Sequence, residues 1–346
     1  MQSDKLIVIL VPRKEKSSPV LGAEIIYKSL ESQSNVFLLP ISRKNKKNFL
    51  FELRDIIRTY FFLIRKVKNF ERLLVISFGI QADFVCFLLR RKIIAVSAIR
   101  GYLDKVYEYR FGKFGRVIHA FHIFLIKKIG KSFVMSEDMN RYYKNNYQIS
   151  SWNIRSAIHE NLPIFRIKRS QEIGLVYLGS LTKGKGIEEM LPELEKLFKK
   201  YKNYHMHFIG DGLLKSEIVK FIKFNNLENK ITMHGFLENP FEVLSCCKIM
   251  IHPSFTEGIS RALMEGMYLG LIPIARRIPA MDELIMNQKN GFLFDNINEI
   301  THLISCANEL KVPKGSLLPK EYRFEHHRKL IKNTLLNIFE NDEKEG

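Results

Sequence analysis

His252-Pro-Ser-Phe-Thr-Glu257-Gly258-Ile-Ser260-Arg261-Ala-Leu-Met-Glu265-Gly266-Met-Tyr-Leu-Gly270-Leu-Ile-Pro273 is the stretch from which the rest of the chain can be read. Residues 249–252, Ile-Met-Ile and then His252, read as a buried strand that stops at Pro253. A loop carrying Glu257 and Gly258 follows, then helical spacing over 259–269 and a second apolar run at 271–275. Strand, helix, strand is a βαβ unit, and such units build parallel sheets. The same alternation extends upstream, with strands at 174–178, 206–209 and 231–234 and helices at 186–201 and 214–225. The first half repeats it: apolar runs at 6–11, 36–39, 73–77, 93–96 and 132–135 read as strands. Phe49, Leu53, Ile56, Ile57, Tyr60, Ile64 and Val67 mark an amphipathic helix over 49–70. The pattern breaks at 160–172, a basic stretch with Pro163 that reads as a linker, and a last helical stretch covers 321–339 after the turn-prone 313–319. The expected fold class is therefore α/β, with two Rossmann-like doubly wound domains, 1–160 and 161–320, and a final helix over 321–346. Tandem domains of this kind are expected to face a cleft at their C-terminal strand ends.

With 346 residues, 46% of them hydrophobic, the chain has ample material for a packed core. Cys86, Cys246, Cys247 and Cys306 have neither metal spacing nor a paired framework, which points to a reducing compartment. The run at 6–11 is too short for a signal-peptide core, and no stretch reaches the roughly 18–20 apolar residues that span a bilayer. A cytoplasmic location, peripheral on the inner face of the membrane, is expected. Charge is unevenly placed. Residues 1–160 hold 29 Lys and Arg against 13 Asp and Glu, a net +16, whereas 161–346 hold 26 against 23, a net +3. Such asymmetry points to an anionic surface for the first half, the alternative being a generally lysine-rich proteome.

The chemistry concentrates in the second half. Gly258 lets backbone approach a ligand closely, and a helix starting near Ile259 would aim its free N–H groups and positive dipole end at the loop, which suits a phosphate. Glu265 lies eight positions after Glu257, about 12 Å along a helix axis at the standard rise, too far for the two carboxylates to act on one bond as a glycosidase pair. They are read as holding two parts of one long ligand, or as a capping residue and an exposed helical residue. Gly179-Ser180-Leu181-Thr182-Lys183-Gly184-Lys185-Gly186 follows a strand and opens a helix, the position of a phosphate-binding loop, with two lysines for charge. Gly210-Asp211-Gly212 also follows a strand and reads as a ligand loop or, more simply, a turn. In Met281-Asp282-Glu283, Glu283 is either a ligand contact or a helix-start carboxylate.

Taken in order, these pieces resemble the donor-binding domain of the family 4 retaining glycosyltransferases, which have the GT-B fold. The resemblance covers 174–295 and adds Gly270-Leu-Ile-Pro273, Pro279 to Glu283 and Asn290-Gly-Phe-Leu-Phe294 to the motifs above. It implies that Glu257 contacts the transferred sugar, Glu265 the nucleotide ribose and Lys185 the diphosphate, with Gly258, Ile259 and Ser260 helping through backbone N–H groups. The terminal helix resembles the one that crosses back to the first domain in that family. Two departures stand out. Ser180 occupies the place where the family usually has Arg, which turns attention to Lys183, Lys185 and Arg261 for diphosphate charge. In the first domain, Ser97 to Asp104 resembles the arginine–glycine variant of a loop that often carries His, with Arg100 expected to face the cleft, and Gly22-Ala23-Glu24 resembles the acceptor loop.

The resemblance implies a hexosyltransferase that moves a sugar from a nucleotide diphosphate donor, a UDP-sugar before a GDP-sugar, to a glycan or lipid-linked glycan in surface polysaccharide synthesis. Glu257, Lys185 and Arg100 are the expected catalytic residues; Gly179, Ser180, Lys183, Gly210, Gly258, Ile259, Ser260, Arg261, Glu265 and Glu283 complete the expected donor site. No cofactor and no metal are expected, since no Asp-x-Asp motif is present. Arg43-Lys44-Asn45-Lys46-Lys47 and the aromatic-basic stretch 102–131 suit an anionic membrane held by charge without insertion. The rivals are a non-catalytic subunit of glycosyltransferase type, a same-fold sugar-nucleotide epimerase, and a nucleic-acid binder, for which no recognition module is present.

Overall fold

The computed structural model describes residues 5–13, 18–31, 35–42, 49–158, 172–312 and 315–345. The basic cluster at 43–47 and nearly all of the linker stretch lie outside them. The chain divides into two compact units, Met1–His159 with Glu321–Gly346, and Glu160–Lys320.

In the first unit the elements run β1 (Lys5–Arg13), α1 (Ser18–Leu30), β2 (Val36–Ser42), α2 (Phe49–Val67), β3 (Arg72–Ser77), α3 (Ile80–Leu89), β4 (Ile94–Ala98), α4 (Leu103–Phe111), α5 (Gly115–Ile129), β5 (Ser132–Val134), α6 (Glu137–Tyr147) and β6 (Trp152–Asn153). The sheet is parallel, ordered β2-β1-β3-β4-β5-β6. A strand covered on both faces should read as an unbroken apolar run, and residues 6–11 are all buried. Alternate residues of β1 and β3 feed two cores. One is shared with α2 and α3, the other with α1 and the terminal helix α13 (Phe324–Glu345), so the last helix packs on this unit. Gly22 is inside α1, not in a loop: its missing side chain lets the Arg100 guanidinium lie across the helix, where a Cβ would sit 2.4 Å from Arg100 Cζ. Beneath α3 and α5, buried Asp83 accepts from Ser77 Oγ at 2.5 Å and Ser97 Oγ at 3.0 Å and meets His122 Nε2 at 2.6 Å. The other His122 nitrogen meets Tyr107 OH at 2.8 Å. A buried polar network with each member partnered locks α3, α4 and α5 in place.

The second unit runs β7 (Ile173–Leu178), α7 (Ile187–Lys200), β8 (Tyr204–Ile209), α8 (Lys215–Phe224), β9 (Ile231–Gly235), α9 (Phe241–Leu244), β10 (Cys247–His252), α10 (Arg261–Tyr268), β11 (Ile272–Arg276), α11 (Pro279–Asp282), β12 (Phe292–Phe294) and α12 (Ile300–Glu309). Its parallel sheet is ordered β12-β11-β10-β7-β8-β9. Each unit is Rossmann-like, and the pair has the GT-B class of fold that the sequence implies. In this order the chain winds outward one way from β7 and the other way from β10, so these neighbours form the switch point where the following loops diverge. Those two loops are the glycine–lysine loop and the Glu257 loop.

Two histidines, His327 buried and His207 half-buried, give the fold a pH dependence. Burial, then Arg100 and His326, push His327 down from 6.5 to about 3. Burial, then His205 and His234, push His207 on β8 down to about 4. Both stay neutral in the fold, so the unfolded chain takes up protons first once pH falls below about 6.5, and stability is lost from there down toward the folded values. His327 alone contributes about 2 kcal/mol of loss between pH 7 and pH 5. The urea midpoint is expected to fall over that interval, and His327→Gln to flatten the fall. Equal midpoints for the unmodified chain at both pH values would refute the assignment.

Candidate functional site: the switch point of the second sheet

The loop after β7 is shaped by its glycines. Gly186 has φ +67° and lies so close to the end of β10 that a Cβ there would sit 2.1 Å from the Pro253 carbonyl oxygen. Phe255 N–H donates to Gly184 C=O at 3.0 Å, so the loop after β7 is tied directly to the loop after β10. Gly210 explains itself differently. With φ +145°, its Cβ would be 1.8 Å from the Gly179 carbonyl oxygen, and Asp211 caps its own turn by accepting from Gly212 N–H at 2.8 Å. Gly210-Asp211-Gly212 is thus the turn that lets β8 end against the glycine loop.

Three groups meet at the switch point. Lys185 Nζ lies 2.5 Å from Glu257 Oε1, and His252 Nε2 lies 3.3 Å from the same oxygen without the alignment of a hydrogen bond. Burial pushes the Glu257 carboxyl up, but Lys185 and His252 outweigh it and hold it at about 2. His252 and Ser254 are both buried, and the His252 ring nitrogens and Ser254 Oγ have no hydrogen-bond partner within the protein. Buried polar atoms without partners are uncommon and mark places where a bound group completes the pairing. Neither residue is among the site residues expected from the sequence. Their signal is a His and a Ser just after the apolar run Ile249-Met250-Ile251 at the exit of the strand.

The helix after Glu257 begins later than its spacing suggests. Ser260 is the N-cap of α10, in extended conformation, its Oγ accepting from Leu263 N–H at 3.3 Å. Ser260 competes for its own helix in this way, as short hydroxyl side chains do, and Gly258 and Ile259 stay in the loop. The N–H groups ahead of Leu263 have no acceptor within the helix and face the switch point. Along α10, Arg261 Nε donates to Glu265 Oε1 at 2.9 Å, and burial raises the Glu265 carboxyl despite that partner. Glu265 is thus a half-screened acceptor and not an exposed helical residue. Arg276, on β11, braces the Glu257 loop: its Nε donates to the Pro253 carbonyl at 3.0 Å and its guanidinium lies 4.4 Å from the Phe255 ring centre.

The remaining candidates separate. Ser180 and Lys183 are exposed on the outer part of the glycine loop. Glu283 does not open a helix: α11 is a single turn that ends at Asp282, and Glu283 is its C-cap. A proline at the first turn starts that helix, and Asp282 pairs with Arg277 at 3.1 Å. Arg100 belongs to the other unit, packed against Gly22 and 6.0 Å from the Phe78 ring centre. Among the described residues no group of three or more His, Cys, Asp or Glu is placed to hold a metal ion, and no helix is long and apolar enough to cross a membrane.

Comparison with known proteins agrees with the fold. Residues 161–309 match the family model of the glycosyl transferases group 1. The chain is 21% identical over 258 residues to an uncharacterised glycosyltransferase of Methanocaldococcus jannaschii, a stretch that is 68% of this chain and 62% of that protein. It is 28% identical over 130 residues to the O-antigen biosynthesis glycosyltransferase WclY of Escherichia coli, covering 38% of this chain and 36% of the relative. The chain thus spans less than two thirds of the length of these relatives. Among solved structures, Anabaena HepE in complex with UDP-glucose superposes with a TM-score of 0.76 at 13% identity, over 96% of this chain and all of that one. The stretch that holds the paired Lys185 and Glu257 is thus the part of the chain that matches the glycosyl transferases group 1.

Proposed function

We propose that this chain transfers a hexosyl group from a nucleoside diphosphate sugar, a UDP-sugar before a GDP-sugar, with retention of configuration at the anomeric carbon. The acceptor is a glycan or a lipid-linked glycan, held by the first unit, and the product is a surface polysaccharide made on the cytoplasmic side. The observation that carries the reading is the ionised Glu257 held between Lys185 and His252 at a sheet switch point, beside the buried Ser254 Oγ, which has no hydrogen-bond partner, and the N-terminus of α10. In this scheme Lys185 and the loop N–H groups stabilise charge developing on the departing diphosphate, which is the main electrostatic task of such a transfer. Lys183 and Arg261 add cationic charge in the place where Ser180 supplies none, and Glu265 receives the ribose hydroxyls. Glu257 accepts hydrogen bonds from hydroxyls of the transferred sugar, and Arg100 contributes from the acceptor side. Neither a cofactor nor a metal has a role in the scheme.

Thermal unfolding with UDP, GDP and ADP tests the donor site. A ligand present at about one hundred times its Kd stabilises the folded state by about 2.7 kcal/mol, so millimolar UDP is expected to raise the melting temperature measurably and more than GDP does. No shift with any of the three nucleotides or with their sugars would refute the proposal.

A further inference from the structure

Helices α2, α3 and α5 cover one face of the first sheet, their inner residues joined to one core. The outward side of such helices is ordinarily polar, and a helix apolar all round is one that is covered. Here the outward side is apolar as well. Val117, Phe121 and Phe124 stand one turn apart along the outside of α5, and Phe114 stands just ahead of it; Phe114 is 80% and Val117 70% exposed. The rings form a continuous stripe: Phe121 lies 6.5 Å from Phe124, Phe124 5.7 Å from Phe87 on α3, and Phe121 6.3 Å from Phe84. On α2, exposed Leu53, Ile57 and Phe61 repeat every fourth residue. Loose docking does not explain this, because the Asp83–His122–Tyr107 network on the inner side is fully made. An apolar surface of this extent marks an interaction site.

Charge selects the occupant. Residues 84–131 hold 11 Lys and Arg against Asp104 and Glu108 alone, and α5 has no acidic residue. The cations lie against the rings: Arg90 is 4.3 Å from the Phe87 ring centre, Lys128 5.9 Å from that of Phe124, and Arg110 5.2 Å from that of Phe111. Long basic side chains arranged so cover apolar surface with their stems and carry their charged ends to its rim. A second copy of the same face would set like charges opposite one another, and a polyanion without an apolar phase would leave the aromatic stripe in water. We propose that the outer face of α2, α3 and α5 seats on an anionic lipid bilayer, its aromatic residues entering the acyl boundary while its lysines and arginines meet lipid phosphates. This departs from attraction by charge alone, because the stripe inserts.

The test is co-sedimentation of the full chain with phosphatidylglycerol-containing vesicles and with pure phosphatidylcholine vesicles. Binding is expected to the anionic vesicles, weakened but not abolished as salt rises to about 0.5 M, which screens charge within a few ångströms. A triple variant, Phe114→Ser, Val117→Ser and Phe121→Ser, removes apolar surface that is largely exposed at the first two positions and about half exposed at the third. It should keep the melting temperature and circular dichroism of the unmodified chain while its partitioning falls at least roughly tenfold. A quadruple variant, Lys113→Gln, Arg116→Gln, Lys127→Gln and Lys128→Gln, should lose the salt-dependent part. Phe114→Trp should show a blue-shifted emission on adding anionic vesicles, over the constant signal of Trp152. The proposal is overturned if the unmodified chain binds neither vesicle, if high salt releases it completely, or if the serine variant partitions like the unmodified chain. It is equally overturned if that variant merely turns a dimer into a monomer.

Discussion

Replacing Glu257 by Gln is expected to lower turnover by about 10²–10³-fold, the range for removing one preorganised electrostatic contact to a reacting group. Nucleotide affinity should hold or improve. The ionised carboxylate lies 2.5 Å from Lys185 Nζ, so in the unliganded protein the lysine is occupied by Glu257 and not by phosphate. Gln accepts from the same lysine without the charge and leaves more positive potential for the diphosphate. A fall in kcat with no loss of UDP affinity is the signature of a contact made to the reacting sugar. Glu265→Ala should show the reverse, weakening nucleotide binding more than turnover. Lys185→Ala differs again, because it strands a carboxylate that is mostly buried. Taking one partner from a buried pair costs about 3–5 kcal/mol, and the partial exposure of Lys185 puts this one at the low end. This stability is present above the ordinary carboxyl value of 4.5 and disappears as pH falls toward the folded value of about 2. Full transfer activity in Glu257→Gln would end the assignment of the carboxylate to the reacting sugar.

A methyl group at Gly186 should damage stability and donor binding together. The position has φ +67°, which costs an alanine about 1 kcal/mol in backbone strain. The larger effect is steric: the new Cβ would stand 2.1 Å from the Pro253 carbonyl oxygen, a backbone atom with no flexible end to yield. The loop after β7 must then part from the loop after β10, breaking the Phe255 N–H to Gly184 C=O bond and drawing Lys185 away from Glu257. Gly186→Ala is expected to lose about 2–4 kcal/mol, as severe core and backbone changes do, and to weaken UDP binding by roughly tenfold or more, the equivalent of about 1.4 kcal/mol. Gly130→Ala is the control, since φ there is +81° but a Cβ would meet nothing within 4 Å. Denaturant titration of both variants separates strain from clash. Equal losses would mean that the close approach of the two loops does not hold the site.

Much of this protein is legible in its amino-acid sequence because the signals are local. Buried parallel strands are unbroken apolar runs, so residues 6–11, 73–77 and 249–252 announce β1, β3 and β10, and helical periodicity announces α2 and α7. The glycine–lysine loop and the two glutamates are equally plain, being short motifs at the ends of those elements. Boundaries set by a single side chain were not legible: with Ser260 as its cap, α10 begins at Arg261, two residues after the apolar spacing begins, and α11 stops before Glu283. Strand order was not legible either. Nothing local says that β10 lies beside β7, yet that neighbourhood brings Lys185 to Glu257 from 72 residues away, with His252 3.3 Å from the same carboxylate and Ser254 buried without a hydrogen-bond partner. The aromatic residues between 84 and 124 carry the same lesson in reverse. Periodicity marks a helix as apolar on two sides, and only its packing decides which side meets the core and which is left for a partner outside the chain.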